Sequence, residues 1–172
     1  ADVWELTKPE WNGKVAIAPS NASFQAFVTA LRVDEGEDRA REWVEAMVAN
    51  GVQRYAKNGE ILEAVNTGVV PIGLLNHYYW ARSEQDPTTL RAQLKFGEPG
   101  SVSALVNVTG AGVLAGSAES SEAQEFVEFL VSTPAQEYFA EETFEYPLVA
   151  GVASPAGVPP LSELGGADID LA

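Results

Sequence analysis

Val69-Val70-Pro71-Ile72-Gly73-Leu74-Leu75-Asn76-His77-Tyr78-Tyr79-Trp80 is the stretch on which the reading of this chain turns. Residues 69–75 are an apolar run of strand length, interrupted by a proline and a glycine, most simply a buried strand. The run stops at Asn76 and gives way to a polar, aromatic cluster, and the helical pattern that follows starts near Tyr78 and ends before Asp86-Pro87. In open α/β sheets, ligands sit beyond the carboxyl ends of the strands, where such a cluster would lie. Tyrosine has an ordinary pKa of about 10. As phenolate it is a hard, anionic oxygen donor suited to Fe(III), which must displace the phenolic proton to bind. Neighbours in a regular strand point to opposite faces. Tyr78 and Tyr79 can therefore share one metal only at a bend or in the first turn of a helix. A pair of tyrosines also packs well as large amphipathic side chains, so the residues alone leave packing and ligation both open.

Working towards the N-terminus, residues 58–68 read as a helix through Ile61, Leu62 and Val65, closed by Gly68, and residues 52–55 as a strand. Ala40, Trp43, Val44, Met47 and Val48 recur at helical spacing in a helix over 37–50, stopped by Gly51. Residues 14–18 form a short buried strand, and residues 24–31 a helix preceded by Ser20, Asn21 and Ser23, all N-capping types. Strands alternating with helices predict α/β architecture with a mostly parallel sheet flanked by helices. Towards the C-terminus, residues 105–114 look extended but broken by Gly110 and Gly112. Residues 121–130 and 134–141 are helical, with Phe126, Phe129, Tyr138 and Phe139 on expected core faces, and the Pro- and Gly-rich tail from Val149 has little regular structure.

Composition removes several classes. The 172 residues suffice for one sizeable domain or a lobe plus part of another, and hydrophobic residues make up 46% of them. No apolar run approaches the ~20 residues of a membrane helix. There is no cysteine, hence no disulfide or thiolate chemistry. A formal net charge of -15 argues against nucleic acid and anionic membranes as partners. Most of those carboxylates read as a solvated surface. No serine elbow, Gly-rich phosphate loop or metalloprotease helix is present, so an enzyme is not expected. The opening Ala1-Asp2-Val3-Trp4 reads as an entry into mid-protein, with no export signal ahead of it.

A second group of residues points to an anion. Asn21-Ala22-Ser23, Asn58 and Asn76 each fall at a predicted helix start. Helix N-termini present free N–H groups and a positive dipole end, and small polar side chains add donors without blocking approach. Any one of these residues alone reads more simply as a plain N-cap.

Asn76-His77-Tyr78-Tyr79-Trp80 resembles the signature of bacterial periplasmic ferric-iron-binding proteins, the substrate-binding components of iron ABC importers. The likeness continues, in the family's order, through Trp11-Asn12-Gly13-Lys14-Val15, residues 19–24, 58–68, 107–113 and 123–136, and Glu145-Tyr146-Pro147-Leu148. It implies a type 2 periplasmic-binding-protein fold: the second lobe over residues 1–108, a return segment belonging to the first lobe over 109–146, and a tail returning to the second lobe over 147–172. The crossing would fall near residues 105–113, with the first lobe largely missing. The resemblance implies Tyr78 and Tyr79 as Fe(III) ligands, and Asn21, Ala22, Ser23, Asn58 and Asn76 as contacts to phosphate or carbonate, the synergistic anion. Asn21-Ala22 departs from close relatives, which often carry glycine there. Histidine and carboxylate ligands come from the family's first lobe, which places His77, the sole histidine, outside the expected metal shell. Expected partners are a cognate ABC permease and the first lobe. Expected location is periplasmic or extracellular, including lipid anchoring at the cell surface. Without the first lobe, the 121–130 helix is expected to fold back or to pair with another copy of the chain. Alternatives are a same-fold receptor for an organic anion or sugar, and an effector-sensing domain of a regulator.

Overall fold

Val15, Ala16 and Ile17 carry no polar side chain, and all three are buried. They form β1 (Val15–Ile17), the central strand of a three-stranded sheet in the computed structural model, which describes residues 2–83, 86–117 and 120–166. β2 (Gln53–Arg54) and β3 (Ile72–Gly73) lie on either side of it in the order β2-β1-β3. Both are parallel to β1, and Ala16 faces Gln53 on one side and Gly73 on the other. The ladder runs slightly past the strands: Tyr55 N–H donates to the Ile17 carbonyl and Leu74 N–H to that of Ala16, each at 2.9 Å.

Parallel neighbours need crossovers, and helices supply them. α1 (Ala22–Glu35) and α2 (Glu37–Ala49) join β1 to β2, and α3 (Asn58–Thr67) joins β2 to β3. Gly36 separates the first pair at φ 94°, a conformation that suits glycine, and Gly68 ends α3 in the left-handed region at φ 81°. Successive strand residues point to opposite faces, so β1 feeds two cores. Val15 joins Ala30, Leu31, Ala40, Trp43 and Met47 on the α1–α2 side. Ala16 joins Ile61, Ala64 and Val70 on the α3 side. This is the all-round burial expected of a parallel strand.

The apolar run at 69–75 contributes only two residues to the sheet. The N–H groups of Val69 and Val70 instead donate to the Ala64 carbonyl, satisfying the end of α3, and Pro71 has no N–H to give. Val69 consequently stands 71% exposed. α4 (His77–Ala81) follows β3.

The chain forms two compact units: one runs to Asn107 and resumes at Ser162, and the other is Val108–Leu161. In the second, α5 (Ser120–Leu130) precedes α6 (Thr133–Tyr138), which continues into a π-helical turn, Phe139–Thr143. That turn closes at Phe144 in the left-handed region, φ 58°. Gln136 is buried and holds the unit from both ends of its amide. Its Nε2 donates to the Leu130 carbonyl at 2.8 Å, and its Oε1 accepts from Leu148 N–H at 2.6 Å. The expected core faces are not found here: Phe126, Phe129 and Tyr138 are 60%, 52% and 58% exposed, and α5 buries no residue. The helical period creates an apolar stripe, but burying it takes a partner surface.

Candidate functional site

Because β1, β2 and β3 are parallel, the chain leaves all three at the same sheet edge. From β1 it reaches Asn21 at the start of α1, from β2 Asn58 at the start of α3, and from β3 Asn76 at the start of α4. An open cleft of about 230 Å³ lies there, lined by Ser23, Asn58, Asn76 and an apolar wall that includes Phe24, Phe27 and Leu75. The wall is the outer side of the core: Phe24 and Phe27 pack on buried Trp43 at 6.3 and 5.3 Å between ring centroids.

Two of the three asparagines meet. Asn58, 2% exposed, donates from Nδ2 to Asn76 Oδ1 at 3.0 Å. Asn76 occupies the N-cap position of α4 but makes no side-chain capping bond there, so its oxygen is turned to Asn58 instead. Asn21 behaves as an ordinary N-cap: its side-chain oxygen accepts from Ser23 N–H at 2.9 Å. Asn21 and Ala22 stand at the start of α1 and are not among the residues that line the cleft, whereas Ser23 is.

Tyr78 and Tyr79 fall in the first turn of the five-residue α4. Helical neighbours are rotated by about 100°, yet these two rings stack, with centroids 4.7 Å apart and planes at 28°. The Arg82 guanidinium carbon lies 5.0 Å from one ring centroid and 4.9 Å from the other, within cation–π range of both. His77 meets Tyr78 edge-on at 5.9 Å. Trp80, on the buried side, anchors the helix by donating from Nε1 to the Ala92 carbonyl at 2.9 Å. Among the described residues, no group of three or more His, Asp or Glu side chains gathers to hold a metal.

Sequence reading missed four further residues that line the cleft, Lys95, Phe96, Ser103 and Asn107. Lys95, Phe96 and Asn107 sit in irregular chain and Ser103 in a single 3₁₀ turn, where periodicity is silent. The one signal was Gly97. A Cβ at that position would overlap the Ser103 carbonyl, so glycine alone lets the two segments close and turn Lys95 and Phe96 to the cleft.

A parallel-sheet α/β unit with a cleft at the carboxyl edge of its strands fits a type 2 periplasmic-binding-protein lobe. The chain belongs to the bacterial extracellular solute-binding protein family, whose model matches residues 2–164. It is 35% identical over 174 residues to the Fe(3+)-binding periplasmic protein of Serratia marcescens, covering 98% of this chain and 50% of that one. It is 34% identical over 165 residues to the major ferric iron-binding protein of Neisseria meningitidis serogroup B, covering 94% and 49%. Among solved structures, iron-bound HitA from Pseudomonas aeruginosa superposes with a TM-score of 0.89 at 30% identity, over 98% of this chain and 55% of that one. The chain thus spans about half the length of the curated relatives it matches.

Proposed function

We propose that this chain is part of an extracytoplasmic receptor that captures Fe(III) for an ABC importer, with Tyr78 and Tyr79 as phenolate ligands. The observation that carries the reading is the stacked tyrosine pair, in the first turn of a helix that leaves the carboxyl edge of a parallel sheet. Relatives named for ferric-iron binding and periplasmic location support it. Each phenol gives up its proton as its oxygen bonds to iron, so charge on the metal is offset by two anionic donors. Ser23, Asn58 and Asn76 offer donors to a synergistic anion, with Asn21 and Ala22 shaping the helix start beside them. A Trichodesmium relative is described in complex with iron and citrate, which supports an oxyanion partner for the metal. In this reading residues 1–108 belong to the second lobe, 109–146 to the first and 147–172 to the second again. A first lobe supplies further ligands, and a cognate permease receives the iron.

The test is a titration with Fe(III) nitrilotriacetate, followed by visible absorbance. A ferric–phenolate charge-transfer band is expected, and Tyr78→Phe with Tyr79→Phe abolishes it while leaving the far-UV circular dichroism unchanged. Two protons leave per iron, so affinity rises with pH. A band of undiminished strength in the double variant sinks the assignment.

A further inference from the structure

The chain carries 25 acidic and 10 basic residues, yet the cleft reverses that balance: among the described residues its lining holds Lys95 and no Asp or Glu. Lys95 is exposed and has no ion-pair partner among the described residues, whereas Lys8, Arg32, Arg39 and Arg41 are paired with glutamate or aspartate. Its neighbour Phe96 lines the same cleft, as do Phe24 and Phe27. A cavity needs only about 10–15 Å³ to hold one water. At about 230 Å³ the cleft has room for several times the volume of a small tetrahedral oxyanion. An inorganic anion would use the amide and hydroxyl end and leave the aromatic wall wet. A carboxylate with an apolar body would use both, since burying hydrocarbon against the phenyl rings is favourable and the charge would meet an unpaired ammonium.

Resting on the reading of this cleft as an anion site, we propose that the anion it selects is an organic carboxylate with an apolar body. Lys95 is its counter-ion, and Phe96, with Phe24 and Phe27, is the wall that takes the hydrocarbon. Gly97 is what makes the arrangement possible, because any side chain there would push residues 95–96 away from Ser103.

Calorimetric titration of the whole chain without iron tests this, with phenylacetate, acetate, phosphate and bicarbonate as probes. Phenylacetate is expected to bind at least tenfold more tightly than acetate or phosphate. Lys95→Met should weaken phenylacetate at least tenfold and Lys95→Arg less than threefold. Phe96→Ala should weaken phenylacetate but leave acetate within twofold. Lys95 is exposed, so folding should survive, and circular dichroism checks that. Tighter binding of phosphate than phenylacetate, equal binding to the Lys95→Met chain, or no binding of any probe overturns the inference. Iron is absent throughout, so the two readings fail separately. A ferric band without phenylacetate binding overturns only this inference. Phenylacetate binding without a ferric band overturns only the iron assignment.

Discussion

Asn58 shows how one side chain serves fold and site together. It is a nearly fully buried amide at the start of α3, and its bond to Asn76 ties that helix start to the loop that leads into the tyrosines. A net hydrogen bond is worth about 1 kcal/mol, and an orphaned buried partner costs about 1–3 kcal/mol. Asn58→Ala should therefore lower the urea-unfolding free energy by roughly 1–3 kcal/mol. A second residue-scale expectation concerns Tyr146, whose phenol donates to the Pro159 carbonyl at 2.8 Å. Burial pushes its pKa up to about 12 from 10.0. The folded chain thus keeps a proton that the unfolded chain releases above pH 10, so this contribution is intact below pH 10 and is lost as pH rises towards 12. Denaturation melts across that window should show a shallower fall for Tyr146→Phe than for the unsubstituted chain. Parallel curves would place the phenol's proton elsewhere in the balance.

At the level of elements, the close packing of α3 on β3 depends on the absence of a side chain. A Cβ at Gly73 would overlap Ile61 Cγ2 and crowd Val65, and Ile61 is fully buried with nowhere to move. Gly73→Ala should destabilise by about 1–3 kcal/mol, as overpacking does. Adding Ile61→Ala to it should cost less than the sum of the two single changes, because the same atoms are removed and inserted. Additive costs would mean that α3 simply shifts away from the strand. These elements were largely legible beforehand. Asn21 before α1 and Gly68 after α3 are local signals, and the helical spacing of Ala40, Trp43 and Met47 matches the buried side of α2. The two-residue strands β2 and β3 were overdrawn. Where a strand ends depends on which amides find sheet partners, and Val69 and Val70 found α3 instead.

At the scale of the whole molecule, charge and exposed apolar surface pull in opposite directions. A net charge of -15 keeps copies apart at low ionic strength, with a Debye length of about 10 Å at 0.1 M salt. Phe126 and Phe129 meanwhile expose more than half their surface on α5, with Val131 and Tyr138 exposed close by in sequence. Exposed apolar side chains of that size favour burial against a partner. The weight-average mass in sedimentation should rise with concentration, and more steeply as salt screens the charge. Phe126→Glu with Phe129→Glu should hold the chain at 18.3 kDa under the same conditions. A concentration-independent monomer for the unsubstituted chain would show that this surface does not associate.

Residue order alone determined the α/β class, the succession of helices in the first unit and the placement of Asn58, Asn76 and the tyrosine pair at helix starts. Hydrophobic period, caps and glycine stops are properties of neighbours in sequence. Tertiary structure decided which of those residues share a cleft. Asn58 reaches Asn76, Ser23 joins them, and Asn21 turns back to cap its own helix, because each outcome depends on strand order and on the angle at which a helix leaves the sheet. It also brought Lys95 and Phe96 into the site from a loop without periodicity, through the contact between Gly97 and Ser103 that only a glycine permits.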